Sequence, residues 1–118
     1  MFVKVCSALI ALFCASVAQA TAFYCAGTVS MVWSLTDGSM FIRTSYRGDH
    51  TQMCNLLTDW NGISPAQCKN WYAVLLTAKT TGDVIQVYYP NNPYSGCSAL
   101  PTYGNTPAPG YIGLGTDL

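Results

Sequence analysis

His50 is the chain's one histidine, and Asp49 stands beside it. Such a pair has the ingredients of a proton shuttle, because imidazole changes charge near neutral pH and a carboxylate can orient it. A nucleophilic catalyst also needs an activated serine or cysteine beside that base, and no G-x-S-x-G occurs. A glycosidase needs two placed carboxylates. This chain has no glutamate, and Asp37, Asp49, Asp59, Asp83 and Asp117 fall mostly at turns or ends. Asp37 and Asp83 read as turn chemistry. The expectation is a binding protein with no catalytic residues and no cofactor. Arg47-Gly48-Asp49 spells RGD, but three-residue matches are too common to carry a function.

Cysteine is the other reactive type. Cys6 and Cys14 lie in the leading segment, which leaves Cys25, Cys54, Cys68 and Cys97. An even set in a small exported chain reads as two disulfides with three ways of pairing. A metal site is the poorer reading, since there is no C-x-x-C and a single histidine.

The aromatics carry a third kind of chemistry. Trp60, Tyr94 and Tyr103 sit in loop-like stretches near Asp59, Asn91 and Asn92. An aromatic ring packs on the C–H face of a sugar while amides and carboxylates read its hydroxyls. These six residues form the candidate ligand set. The competing role for Trp60, and equally for the two tyrosines, is to fold back over an end of the core. Trp33, Trp71 and Tyr72 occur in periodic runs and read as core.

Charge and composition narrow the partners. The chain has 5 Lys+Arg against 5 Asp+Glu, 51% hydrophobic residues and 13% aromatic. Phosphate neutralisation needs more cations, so nucleic acid is not expected. Disorder is equally unlike this composition. Residues 1–20 read as a secretory signal peptide, with Lys4, an apolar run from Val5 to Val17, and Ala18-Gln19-Ala20 before the cut. That run is short for a bilayer span, and no later segment reads as a membrane anchor. The expectation is a secreted or periplasmic protein with one domain, 21–118.

The elements that position these groups follow from periodicity. Ala22 to Leu35 alternates as a long strand, with Val29, Met31, Trp33 and Leu35 on one face and a bulge or bend at Gly27 that lets one strand serve two sheets. Asp37-Gly38 predicts a hairpin into Met40–Tyr46. A third strand is expected over Thr51–Leu57. Ser64-Pro65-Ala66-Gln67 then has the N-cap, N1 proline and N3 glutamine of a helix start, and Gly82 its stop. Cys68, Trp71, Tyr72, Leu75 and Ala78 share one face of that helix. The other face, Ala66, Asn70, Ala73, Thr77 and Thr80, is small and uncharged, from low overall charge or from close approach of another subunit. Asp83–Tyr89 and Tyr111–Leu114 complete the strands, joined by a long loop from Pro90 to Pro109.

Strand, strand, strand, helix, strand, strand is the connectivity of the OB-fold, a five-stranded Greek-key barrel. Closure also removes exposed sheet edges. In that barrel the first strand runs antiparallel to the fourth, which brings Cys25 to Cys97. Cys54 and Cys68 then tie the third strand to the first turn of the helix.

Thr80-Thr81-Gly82-Asp83-Val84-Ile85-Gln86-Val87-Tyr88-Tyr89 resembles the helix-end-to-strand segment of AB5 toxin binding subunits, and is most similar to the subtilase-cytotoxin and typhoid-toxin B subunits. Gly110-Tyr111-Ile112-Gly113-Leu114 resembles their last strand. Cys54, Leu75 and Ala78 fit as well, so the likeness covers mainly Cys54 to Leu114. The resemblance implies an OB barrel, a ring pentamer with helices around a pore, a catalytic subunit as partner, and binding of host glycans, often sialylated.

Overall fold

The computed structural model describes residues 21–115; the signal-peptide expectation, residues 1–20, lies outside them. The Ala22–Leu35 run is two strands, β1 (Thr21–Gly27) and β2 (Val29–Ser34), broken at Thr28. The corner needs a glycine, since a Cβ on Gly27 would collide with the Ser45 hydroxyl. β3 (Ser39–Thr44) returns from a four-residue connection, Leu35 to Gly38, closed by the Gly38 N–H donating to Leu35 O at 3.0 Å. β4 (His50–Asn55) follows, then the helix α1 (Pro65–Thr81), β5 (Ile85–Asn92), a short 3-10 turn (Cys97–Ala99) and β6 (Tyr111–Leu114).

The strands form two antiparallel three-stranded sheets, β1-β5-β6 and β2-β3-β4. Mainly β with one α-helix is therefore correct of the described residues, and the closed five-stranded barrel is not: they form six strands in two sheets. Two physical causes stand out. The corner at Gly27–Thr28 ends one ladder and begins another. On the far side, the segment that meets β4 carries Pro101, Pro107 and Pro109, which lack the N–H groups a ladder needs. One parallel bridge, Thr51 with Tyr103, forms there instead. It is reinforced by Tyr103 N–H donating to His50 O at 2.8 Å and Gln52 N–H donating to Thr106 Oγ1 at 3.1 Å.

Both expected disulfides are present. Cys25–Cys97 has a Cα separation of 5.7 Å and ties β1 to the turn after β5; Cys54–Cys68 has 5.5 Å and ties β4 to α1. The helix matches its sequence signals. Ser64 Oγ accepts from Gln67 N–H at 3.2 Å, and Gly82 ends the helix in the left-handed region at φ 75°. Cys68, Trp71, Leu75 and Ala78 are its buried residues, with Tyr72 packed beside them. They meet Met40, Ile42, Met53, Ile85, Val87 and Tyr89 in one core. The small face stays exposed. Thr77 and Thr80 hydroxyls donate back to Ala73 O and Leu76 O at 2.9 and 2.8 Å.

Two expectations about β-faces change. A register shift between Val29 and Met31 puts Val29 in the core, and leaves Met31 and Leu35 exposed and Trp33 half-buried. Trp33 is thus not a core residue. β5 also runs past Pro90 to Asn92, because a register shift opposite Thr21–Phe23 takes up the extra residue. Asn91 has φ 37° at that bulge.

Candidate functional site

The outer face of β2-β3-β4 gathers the molecule's most varied set of polar and aromatic groups. Register places Trp33 opposite Phe41 and Phe41 opposite Gln52, with Met31, Arg43 and His50 as the neighbouring row. Trp33 and Phe41 stack with centroids 4.6 Å apart and planes 17° apart. This pair hides Phe41, which is 4% exposed although it points away from the core. Tyr103 arrives from the segment after Cys97 and sits 6.0 Å from Phe41 and 5.7 Å from His50, centroid to centroid.

Trp33 Nε1–H donates to His50 Nδ1 at 2.9 Å. Indole nitrogen is a donor only, so Nδ1 must carry the lone pair and the neutral ring holds its proton on Nε2. The lone pair a general base would use is therefore engaged. Asp49 does not orient the ring; its Oδ1 accepts from the His50 backbone N–H at 2.7 Å. Arg47 Nε–H donates to Leu100 O at 2.7 Å, which ties the turn before β4 to the segment after the 3-10 turn. Among the described residues no group of three or more His, Cys, Asp or Glu is placed to hold a metal ion.

Tyr103 is the strained member. Its φ is 53°, a left-handed value that asparagine tolerates and a bulky aromatic residue rarely adopts. Its N–H is held by His50 O, and its carbonyl, with that of Pro101, takes the Thr106 hydroxyl at 2.8 and 2.9 Å. Thr106 is 1% exposed, whereas Tyr103 remains 48% exposed. The Thr106 anchor is buried and the Tyr103 ring is not.

The other members of the candidate ligand set lie elsewhere. Asn92 is 2% exposed: its Nδ2 donates to Tyr89 O and its Oδ1 accepts from Tyr94 N–H at 3.0 Å. Tyr94 is half-buried against the core, and its carbonyl accepts from the Thr21 hydroxyl at 3.2 Å. Asn91 is exposed at the bulge of β5. Asp59 is exposed, and Trp60 packs on the core beside a turn it closes with Ile63. The structure therefore brings Tyr103 to Phe41 and His50, on the face that also holds Trp33 and Arg43, and does not bring the six residues to one place. A two-residue hairpin at Asp37-Gly38 would pair Trp33 with Ile42; the observed register pairs Trp33 with Phe41, one residue away, so the turn dipeptide alone does not point to this face.

Two buried tyrosines have shifted phenols. Burial pushes Tyr46 up to about 12, and Tyr89 is raised by burial and then by Tyr46. Neither the Tyr46 hydroxyl nor Thr44 Oγ1 completes a hydrogen bond. These groups lie inside the core, away from the outer face. No family model, curated protein or solved structure matches the chain.

Proposed function

We propose that this protein is an exported, OB-type glycan-binding module related to the AB5 toxin B subunits, with its sugar site on the outer face of β2-β3-β4. The observation that carries the reading is Tyr103, an exposed ring in a left-handed backbone conformation, strapped against Trp33, Phe41 and His50. Backbone strain of this kind persists where surrounding structure fixes it, and it gathers at ligand sites. OB-folds bind oligosaccharides on the corresponding strands, together with the loop between the last two strands that supplies Tyr103. The order of neighbours, β4-β3-β2 continuing through Thr28 into β1-β5-β6, supports that architecture with its seam reduced to one bridge, Thr51 with Tyr103, and two hydrogen bonds. Aromatic faces suit pyranose C–H groups, while the Arg43 guanidinium and the His50 Nε2–H suit hydroxyls or a sugar carboxylate.

Export is supported by two intramolecular disulfides, which persist in oxidising compartments. Among the described residues no helix is long and apolar enough to cross a membrane. A ring pentamer and a catalytic partner subunit belong to the same reading, and light scattering tests the ring. A second reading, a protein-interaction module without a glycan ligand, is favoured by Met31 and Leu35, 45% and 47% exposed next to the same face.

A glycan array probed with the purified, disulfide-bonded protein separates the two. The expected result is capture by a defined set of glycans that is lost in Tyr103→Ala. Capture of no sugar overturns the glycan reading.

A further inference from the structure

We propose a second sugar site, for a neutral pyranose such as a hexose or N-acetylhexosamine, in the groove between the start of α1 and the start of β6. The groove has a volume of about 540 Å³, within the range of small-ligand sites and roomy enough for a mono- or disaccharide. Asn61, Ser64, Gln67, Trp71 and Tyr111 supply its chemistry. No lining side chain carries a charge. Two amides and two hydroxyls offer donors and acceptors side by side, which is what vicinal sugar hydroxyls require. Trp71, 7% exposed, forms part of the floor of the groove, and the half-buried Tyr111 is the aromatic surface left for a pyranose C–H face.

The backbone that carries the two amides is fixed. Asn61 and Gly62 have φ 47° and 82°, and their turn is closed on both sides by Trp60 N–H to Ile63 O at 3.0 Å and Ile63 N–H to Trp60 O at 2.9 Å. Gln67 and Trp71 are one helical turn apart on the capped end of α1. On the opposite wall, Gly110 N–H donates to Tyr88 O at 2.7 Å and starts β6. These anchors are backbone bonds, so the amide side chains can face a ligand without carrying the fold.

An anion is the natural rival at a helix start, and local bonding argues against it. Pro65 has no N–H. Gln67 N–H is taken by Ser64 Oγ at 3.2 Å, and Cys68 N–H by Ser64 O at 3.0 Å. Ala66 is left as the remaining donor of the first turn, too few for a phosphate or sulfate cradle. Neutral, hydroxyl-rich ligands fit what the groove presents.

This site extends the glycan reading above but shares no residue with the Tyr103 face, so each can fail alone. The test is a titration of the 15N-labelled, disulfide-bonded protein with methyl β-D-galactopyranoside, methyl α-D-glucopyranoside and methyl N-acetyl-β-D-glucosaminide, with sodium sulfate as the anion arm. At least one glycoside is expected to shift the side-chain amides of Asn61 and Gln67 and the Trp71 indole N–H, saturating in the millimolar range. The response should survive Tyr103→Ala. It should weaken by about tenfold in Gln67→Ala and in Asn61→Gly, the latter chosen because glycine keeps the left-handed turn. Silence at these signals with all three glycosides, a sulfate response that outcompetes them, or loss of the response in Tyr103→Ala would each overturn the proposal.

Discussion

The two sheets each turn an aromatic face to solvent, and the faces differ in kind. On β1-β5-β6, Tyr24, Tyr88 and Tyr111 pack as a triangle with centroids 4.9, 5.3 and 6.2 Å apart. Three like phenols meet there, and their neighbourhood raises the Tyr111 phenol, first by desolvation and then through Tyr24. On β2-β3-β4, an indole donor meets an imidazole acceptor, a cation lies across the strand, and a strained backbone delivers the fourth ring. The tyrosine triangle fills area on a sheet surface. The Trp33–His50–Tyr103 group fixes a tautomer and a ring position. Aromatic content alone therefore does not mark a site; complementary groups held in one arrangement do.

The largest way to break either face is through its disulfide. Cys25–Cys97 spans a sequence separation of 72 and Cys54–Cys68 one of 14. Chain-entropy reasoning gives a loss of about 4 kcal/mol for the first and about 3 kcal/mol for the second. Urea unfolding of the paired Cys→Ala variants measures the ranking, with Cys25→Ala/Cys97→Ala expected to be the less stable. Next comes binding. Tyr103→Ala is expected to weaken a glycan ligand by roughly tenfold, about 1.4 kcal/mol, while Tyr24→Ala leaves it unchanged.

Trp33→Phe keeps the stack on Phe41 and removes the bond to His50, at a cost of about 1 kcal/mol in unfolding free energy. High pH tests the buried phenols. Tyr46 and Tyr89 keep their protons in the folded protein where the unfolded chain releases them at 10.0. Their stabilisation is complete below that value and falls as the pH rises toward about 12. An unfolding series across that window should show the loss, and Tyr46→Phe should reduce it to the part that Tyr89 keeps through its own burial, with little penalty at neutral pH, since the Tyr46 hydroxyl completes no hydrogen bond. The smallest effect belongs to Asp37. The Ser39 backbone N–H lowers its carboxyl, so its contribution is present above the unfolded value and disappears as pH falls through the lowered one. Asp37→Asn should remove a slight acid dependence of the melting temperature.

Local chemistry made several elements legible before any coordinates. Ser64, Pro65, Gln67 and Gly82 defined the helix ends, because caps are satisfied by near neighbours. The strand order brought Cys25 to Cys97 and Cys54 to Cys68. The bend at Gly27, and with it one run serving two sheets, is readable from the sequence; that the barrel stays open is not, since closure depends on Pro101, Pro107 and Pro109 meeting β4. Trp33 escaped for a similar reason: one bulge beyond Val29 reverses which face an alternating strand buries. Among the candidate ligand residues, Tyr103 reached a clustered face and Asn92 went inside. Loop residues carry no period from which such fates can be read.

The measurement that bears most directly on the central claim is calorimetric titration of one array-selected glycan into the Tyr103→Ala and Tyr24→Ala proteins. A loss of affinity confined to Tyr103→Ala, with both variants melting like the parent, is the predicted result. Unchanged binding in Tyr103→Ala, or loss in Tyr24→Ala instead, would contradict it.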